Sequence, residues 1–328
     1  MKAKTILKFV GTLATVLIVL IGAAITFGGP RPIAPLASIN APFEHADFSG
    51  LPPLQRYTAA DGTSLAYRQY LPASGDVRGS VVLVHGSSAS SNSMHPMAQA
   101  YAKAGYAAYA LDIRGHGESG VKGQIGYVGQ LEDDMAAFVK AVAPRQPSTL
   151  VGFSSGGGFT LRVAGGPRQD LFQSYLLLSP FLHPDAPTTR PASGGWVSVG
   201  IPRIVGIMLL NQAGIHRFDG LPVIAFALDE KARSFLTPEY SYALTVNFGP
   251  HRDYVSDIKS VRRPCALVAG DADELFYADR FEPLLRKHGR DWPVTLVPGI
   301  GHIPLTLDAA ALAKEIEVVG RLQRKAGA

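Results

Sequence analysis

The segment from Thr149 to Gly156, Thr-Leu-Val-Gly-Phe-Ser-Ser-Gly, decides the fold. It joins a short apolar, β-branched run to a glycine-rich helix start, and Gly152–Gly156 forms a G-x-S-x-G pattern. A buried strand that turns sharply into a helix lifts the hydroxyl of its central serine clear of the sheet. The helix N-terminus behind it offers partial positive charge to an oxyanion. The segment predicts that Ser154 is a nucleophile; the alternative is a glycine-rich turn without catalysis.

Outward from this segment, short buried strands alternate with stretches of helical periodicity. Such alternation is typical of a mostly parallel, doubly wound α/β sheet with right-handed crossovers. A hairpin is predicted over Arg56–Tyr70, around the turn signal Asp61-Gly62. The predicted parallel strands are Val81–His85, Tyr106–Ile113, Thr149–Phe153, Tyr175–Ser179, Cys265–Gly270 and Val294–Val297.

The alternation is interrupted by about 80 residues, which is too long for an ordinary loop. This proline- and glycine-rich stretch holds Trp196, the apolar run Ile204–Leu210 and a candidate helix at Glu230–Leu236. We therefore expect a core formed by residues 54–180 and 263–328, with residues 181–262 inserted as a lid.

The N-terminus is predicted to be a membrane anchor over residues 1–28. Lys2, Lys4 and Lys8 precede an uncharged run from Phe9 to Phe27, which is long enough to cross a bilayer. The positive-inside rule then places the catalytic domain on the non-cytoplasmic side. The alternative is a signal peptide cleaved near Ala24, which would release a soluble exported protein. The proline-rich residues 29–53 are expected to form an extended linker that holds the domain off the membrane surface.

The composition excludes some classes of function. The formal charge is +5, but the basic residues are scattered rather than gathered with aromatic residues into a patch, so no nucleic-acid partner is expected. The single cysteine, Cys265, can form neither an internal disulfide nor a zinc site alone. No metal or organic cofactor is implied.

A serine nucleophile needs a histidine base and a carboxylate that orients it, and in this fold the chain order is serine, acid, histidine. Asp273 follows the strand Cys265–Gly270, and His302 follows the strand Val294–Val297. The carboxyl ends of parallel strands are where open α/β sheets place their ligands. We expect His302 to be the base and Asp273 to be its partner, in preference to Asp271 and, further behind, Glu274.

An acyl-transfer site also needs two donors for the oxyanion. One is expected to be the backbone amide of Ser155, directly after the nucleophile. The other should come from the loop after Val81–Val84, and we favour the amide of Ser87, with Ser88 as the alternative.

Five short motifs follow one another along the chain: His85-Gly86, Asp112–Ser119, Gly152–Gly156, Gly270-x-x-Asp273 and Gly301-His302. Together they resemble the α/β-hydrolase superfamily, and in particular its lysophospholipase/monoglyceride-lipase-like group with the serine aminopeptidase-type domain. The resemblance spans about residues 54–180 and 263–322, and residues 181–262 carry no family signature. It implies that the turn containing Asp112 and His116 is mainly structural.

The sequence thus predicts a serine hydrolase of carboxylic esters that acts through an acyl-enzyme. The apolar insertion and the anchor favour a lipid-like or otherwise apolar ester. Amide, peptide or thioester hydrolysis and acyl transfer on the same triad remain open. A non-catalytic binding protein on the same fold is a remote alternative.

Overall fold

A computed structural model describes residues 3–44, 47–73 and 75–327. The predicted flanking residue Lys2 lies outside this part of the chain.

An eight-stranded sheet forms the centre of the molecule, in the order β1-β2-β4-β3-β5-β6-β10-β11. Strands β1 and β2 form an antiparallel hairpin, β2 pairs antiparallel with β4, and all remaining pairs are parallel. The predicted mostly parallel, doubly wound sheet is therefore confirmed. Its strands are β1 (Leu54–Thr58), β2 (Ser64–Tyr70), β3 (Ser80–Val84), β4 (Ala107–Leu111), β5 (Ser148–Phe153), β6 (Ser174–Leu178), β10 (Cys265–Gly270) and β11 (Val294–Val297).

The inner strands β3, β4, β5, β6 and β10 are buried along their whole length, because helices pack against the sheet. Helix α5 lies on β5 and β6 and contacts α9, whereas α11 lies on β5, β6 and β10 and contacts α3. The helices of the core are α3 (His95–Lys103), α4 (Gln130–Val142), α5 (Ser155–Gly165), α9 (Tyr254–Ser260), α10 (Phe281–Lys287) and α11 (Ala309–Ala326).

The stretch between β6 and β10 builds a second, three-stranded antiparallel sheet in the order β7-β8-β9. Its helix α9 packs on α5 of the central layer, so the end of this stretch belongs to the core packing. A separate lid over residues 181–262 stays a prediction. The elements here are β7 (Val197–Val199), α6 (Ile201–Gln212), β8 (Pro222–Phe226), α7 (Glu230–Phe235), β9 (Glu239–Ser241) and α8 (Tyr242–Asn247).

The N-terminal helix α1 runs over Ala3–Phe27. Its segment Lys8–Phe27 has a mean hydropathy of 2.4 and is 6% buried, so it is long and apolar enough to cross a membrane. A signal sequence would meet the same criteria.

Residues 29–53 differ from the extended spacer expected from their prolines. The end of α1 packs directly on α6, and a short helix α2 (Ala37–Glu44) follows. The side-chain amide of Asn40 donates to the carbonyls of Leu36 and Ala227, and Ile39 is buried. These contacts hold the segment against the domain, so it does not keep the domain at a distance from α1.

One buried carboxyl on α11 makes stability depend on pH. Glu315 is completely buried and, within the described part of the chain, neither of its carboxylate oxygens has a hydrogen-bond partner. Burial raises the pKa of this carboxyl well above its usual value. The folded protein therefore binds a proton that the unfolded chain releases.

We expect Glu315→Gln to remove this pH dependence. In the unmodified protein, the contribution of this group to the free energy of unfolding is complete at pH values below its unfolded-state pKa. That contribution falls as the pH rises toward its folded-state pKa. The loss is about 1.4 kcal/mol per pH unit for one proton. The free energy of unfolding, measured in denaturant from pH 5 upward, should show a flatter slope in the variant. Parallel slopes for the two proteins would mean that Glu315 is ionised in the folded state.

Candidate active site

Ser154 lies on the sharp turn between β5 and α5. Its backbone has φ 56° and ψ −118°, a left-handed conformation that is unusual for a residue with a Cβ. The turn is tightly packed, since a Cβ on Gly156 would lie 2.3 Å from the carbonyl oxygen of His85. A glycine is therefore required there, as the pattern G-x-S-x-G predicts, and the turn holds the Ser154 hydroxyl at the carboxyl end of the sheet.

The structure brings Ser154, His302 and Asp273 together. Nε2 of His302 lies 3.0 Å from Oγ of Ser154, and its Nδ1 lies 2.8 Å from Oδ2 of Asp273. All three side chains are buried. With a proton on Nδ1, held by the carboxylate, the imidazole presents an unprotonated Nε2 to the hydroxyl, as a general base must.

Strand register explains why residues so far apart in sequence meet. Gly270 of β10 pairs with Val297 of β11 in parallel, so the loops that carry Asp273 and His302 leave neighbouring strand ends. The second oxygen of Asp273, Oδ1, accepts the backbone amides of Leu275 at 2.8 Å and Phe276 at 2.9 Å. The carboxylate thus cannot rotate away from the imidazole without breaking two hydrogen bonds.

The electrostatics of Asp273 favour its ionised form. Burial opposes ionisation, but the attraction and hydrogen bond of His302 and the bond from the Leu275 amide outweigh it. Together they hold the pKa of this carboxyl below its usual value.

The two alternative carboxylates have other partners. Asp271 is exposed, and its Oδ1 accepts the Gly299 amide at 2.6 Å, which ties the two loops together. Glu274 accepts the backbone amide of His302 at 2.9 Å and so positions the backbone of that residue. Among the three acids, only Asp273 contacts the imidazole of His302 in the described structure.

The two predicted oxyanion donors, the amides of Ser87 and Ser155, lie on adjoining loops. Val84 of β3 pairs with Gly152 of β5, so the loop after β3 emerges beside the nucleophile turn. Ser155 is the first residue of α5, where a backbone amide has no partner within the helix. Ser87 N–H has no hydrogen-bond partner within residues 3–44, 47–73 and 75–327. Trp196 Nε1–H donates to Oγ of Ser87 at 2.8 Å and so fixes the position of the Ser87 side chain.

Ser88, the alternative donor, is already engaged. Its amide donates to the Tyr240 hydroxyl at 2.6 Å, and that hydroxyl lies 2.5 Å from Nε2 of His116. Nδ1 of His116 faces the carbonyls of Ile113 and Arg114 and therefore carries the proton. Tyr240 then donates to Nε2 while accepting from Ser88, so every polar atom in the chain of contacts has a partner.

Burial favours the neutral form of both histidines beneath this loop. Burial lowers the pKa of His116 well below its usual value, and the neighbouring His85 lowers it further. Burial likewise lowers the pKa of His85. A neutral His116 keeps the acceptor that Tyr240 requires.

A cavity of about 460 Å³ opens beside Ser154 and His302. Its volume suits a small-molecule ligand. Among the described residues that line it, Asp229 is the sole carboxylate, and that side chain accepts the Ala232 amide at the start of α7. The larger apolar lining residues are Ile39, Phe48, Leu51, Met94, Phe153, Trp196, Leu228, Phe235, Leu236, Leu275 and Ile303.

Sequence reasoning missed several contributors to this site. Tyr240 lies on a strand of three residues, too short for a periodic signal. Ile39, Phe48 and Leu51 fall in the stretch expected to be a linker. Trp196 could have been suspected, since it is one of only two tryptophans and lies within an unassigned insertion.

Comparison with known proteins agrees with this architecture. Residues 75–218 match the protein-family model described as serine aminopeptidase, S33. A segment of 127 residues is 34% identical to a monoacylglycerol lipase of Mycolicibacterium smegmatis. That match spans 38% of this chain and 44% of the relative, so less than half of the relative is covered.

Solved structures share the fold over most of the chain. A soluble variant of monoglyceride lipase from Saccharomyces cerevisiae superposes with a TM-score of 0.63 at 19% identity, covering 85% of this chain and 96% of that one. A bacterial membrane phospholipase A gives a TM-score of 0.56 at 16% identity, covering 96% and 98% respectively. The chain therefore has the α/β-hydrolase fold, and it is similar to monoglyceride lipases in part of its sequence and in its structure.

Proposed function

We propose that the protein is a serine hydrolase that cleaves carboxylic esters with an apolar acyl chain. The observation that carries the proposal is the contact of His302 with both Ser154 and Asp273 at the edge of a largely apolar cavity. The 34% identical segment of a relative named monoacylglycerol lipase supports the same class of substrate.

In the proposed mechanism, Ser154 Oγ attacks the ester carbonyl while His302 Nε2 takes its proton. Asp273 stabilises the imidazolium that forms, and the amides of Ser87 and Ser155 donate to the oxyanion. His302 returns the proton to the leaving alcohol, which leaves an acyl group on Ser154. Water, deprotonated by the same imidazole, then attacks the acyl carbon; the bond to Ser154 Oγ breaks, the imidazolium returns its proton to Oγ, and the acid is released.

The lining of the cavity favours an ester over a peptide with a free amino terminus. An aminopeptidase must hold the α-ammonium group of its substrate, which calls for an available carboxylate. Asp229, the one acid among the described lining residues, is committed to capping α7. The apolar walls instead suit an alkyl chain, because burial of each methylene is favourable by about 0.8 kcal/mol.

The test is a substrate panel on the full-length protein. Nitrophenyl esters of increasing acyl length and a monoacylglycerol are compared with aminoacyl nitroanilides, and a fluorophosphonate reports the reactive serine. Turnover that rises with acyl length, together with labelling, supports the proposal. Labelling with turnover of the anilides alone would replace it with amide hydrolysis, and no labelling at all would favour a binding protein.

Tyr240→Phe is expected to lower kcat about tenfold while KM changes little. The substitution leaves the Ser88 amide and His116 Nε2 without their partner and loosens the loop that carries the Ser87 donor. Loss of a whole oxyanion donor costs about 10²–10³ in kcat, and a misplaced one should cost less. Affinity for a boronic acid, which mimics the tetrahedral state, should fall in parallel.

The matched control for this prediction is Tyr242→Phe. The Tyr242 hydroxyl makes no side-chain hydrogen bond within the described residues, and the residue is also largely buried. If both variants lose activity equally, or if Tyr240→Phe raises KM alone, Tyr240 does not support the oxyanion loop.

We also propose that α1 is retained as a transmembrane anchor with the catalytic domain on the non-cytoplasmic side. The length and hydropathy of Lys8–Phe27 support the span, and the N-terminal lysines support the orientation. N-terminal sequencing of the membrane fraction after carbonate extraction tests it. A start near Met1 agrees with the anchor, whereas a mature start after Ala24 in a soluble fraction identifies a signal peptide.

A further inference from the structure

Helix α6 carries a row of exposed apolar side chains. Ile201, Val205 and Leu209 are 63%, 49% and 42% exposed, and their spacing of four residues places them on one face. Val199 before the helix and Ile215 after it are each 42% exposed as well. Single exposed apolar residues are ordinary on a soluble protein, but a continuous row of this kind indicates an interaction surface.

The opposite face of α6 is packed on α1. Ile207 is fully buried in a cluster with Ile25 and Val223. The helices approach closely at Gly206, where a Cβ would lie 3.3 Å from the side chain of Ile25.

Polar contacts fasten α6 to the last turn of α1. The Arg203 guanidinium donates to the carbonyls of Ile25 at 2.8 Å and Thr26 at 3.1 Å, and the Arg203 amide donates to the Gly28 carbonyl at 3.2 Å. The terminal carbonyls of a helix lack partners of their own, so these bonds satisfy them. Helix α6 is thus attached to α1 by both packing and hydrogen bonding.

The order of the contacts fixes the direction of α6. Gly28 lies beside Arg203, and Ile25 lies beside Gly206, so α6 runs antiparallel to α1. Ile21 of α1 packs against the same cluster. At 1.5 Å per residue, the contact extends about 10 Å back along α1 from its end. Helix α6 therefore lies beside the last turns of the apolar segment Lys8–Phe27.

We propose that α6 is a second membrane-contacting element, whose face Ile201/Val205/Leu209 lies against phospholipid acyl chains in the leaflet where α1 ends. The inference rests on the proposed membrane span of α1. A lipid surface is the occupant that the geometry favours, because α6 packs on the last turns of the proposed span, whose side chains Leu20 and Ile18 are also exposed.

This arrangement links the cavity to the bilayer through a short stretch of chain. Trp196 lines the cavity, and β7 follows it directly and leads into α6. A lipid-like substrate would then have to travel only from the leaflet beside α6 to the cavity.

The test uses the full chain in phosphatidylcholine vesicles that contain lipids with a nitroxide on the acyl chain. One added cysteine at a time, Val205→Cys or Leu209→Cys, carries an environment-sensitive fluorophore, while the native Cys265 is buried. Val16→Cys on α1 is the positive control. Leu71→Cys is the matched exposed control, since Tyr70 pairs with Ala108 at the end of the sheet opposite Ser154.

We expect about threefold quenching at positions 16, 205 and 209 and none at position 71. Quenching at 16 but not at 205 and 209 would overturn this inference and leave the anchor intact. No quenching at 16 would overturn the anchor and this inference with it. Energy transfer between labels at 205 that disappears on dilution with unlabelled protein, without lipid quenching, would identify a second copy of the chain as the occupant.

A functional readout separates α6 from the chemistry. Leu209→Asp would place a charge among acyl chains, so hydrolysis of a long-chain ester embedded in vesicles should fall about tenfold. Turnover of a short, water-soluble ester should stay within about twofold of the unmodified protein, and Leu71→Asp should alter neither. Equal losses on both substrates would show that the substitution damages the fold, and unchanged rates on both would contradict a lipid contact.

Discussion

Ser154→Ala is expected to abolish ester hydrolysis and fluorophosphonate labelling while the protein remains folded. Removal of the nucleophile of such a triad costs on the order of 10⁶ in kcat, and the remaining rate comes from the oxyanion donors and substrate binding. Alanine fits the site sterically, because it only deletes the hydroxyl that meets His302 at 3.0 Å. Steady-state kinetics, labelling and a thermal unfolding curve measure the three outcomes.

The neighbouring Ser155→Ala is the matched control for this variant. It removes a hydroxyl from the same turn but keeps the backbone amide that the mechanism uses. Activity within a few-fold of the unmodified protein and intact labelling are expected. If Ser154→Ala kept a tenth of the rate, or if Ser155→Ala were the inactive variant, the assignment of the nucleophile would be wrong.

Asp273→Asn has the next largest expected effect, a loss of about 10⁴ in kcat. The carboxylate accepts a hydrogen bond from Nδ1–H of His302, whereas an amide can donate its NH₂ group to Nδ1 and stabilise the tautomer with the proton on Nε2. That tautomer cannot deprotonate Ser154. The two amides of Leu275 and Phe276 would still find a carbonyl oxygen, so the loop should keep its shape.

Asp271→Asn tests whether this loss is specific to Asp273. Asp271 lies two residues away, and it accepts the Gly299 amide through an oxygen that asparagine retains. Its kcat should stay within a few-fold of the unmodified protein. Comparable losses in the two variants would mean that the loop, rather than the contact with His302, is what the substitutions disturb.

The sequence predicted the central sheet well because buried parallel strands leave an unmistakable pattern. The predicted bounds of Cys265–Gly270 and Val294–Val297 coincide with β10 and β11, whereas β4 is shorter than its apolar run. Parallel topology then requires that residues following these strands meet at one edge. This explains why the sequence alone predicts that Ser154, Asp273 and His302 belong to one site.

The parts that escaped prediction depend on contacts without a periodic signal. Helix α2 contains Pro42, and its attachment depends on Asn40 reaching a carbonyl distant in the sequence. The engagement of the Ser88 amide depends on Tyr240, about 150 residues away. Single tertiary hydrogen bonds of this kind decide which of two adjacent amides remains available, and no local propensity encodes them.

The packing of α1 and α2 has a practical consequence for anyone who wishes to crystallise a soluble form. Cutting the chain after residue 53 would delete Ile39, Phe48 and Leu51 from the cavity wall and so alter chain-length selectivity in the truncated enzyme. Cutting at Gly28 would keep the cavity wall intact but remove Ile25, which covers Ile207 and Val223. The exposed apolar surface left behind would favour aggregation. A well-behaved soluble protein should therefore start near Gly29 and carry polar replacements on the uncovered side of α6, so that its behaviour in water does not depend on the missing helix.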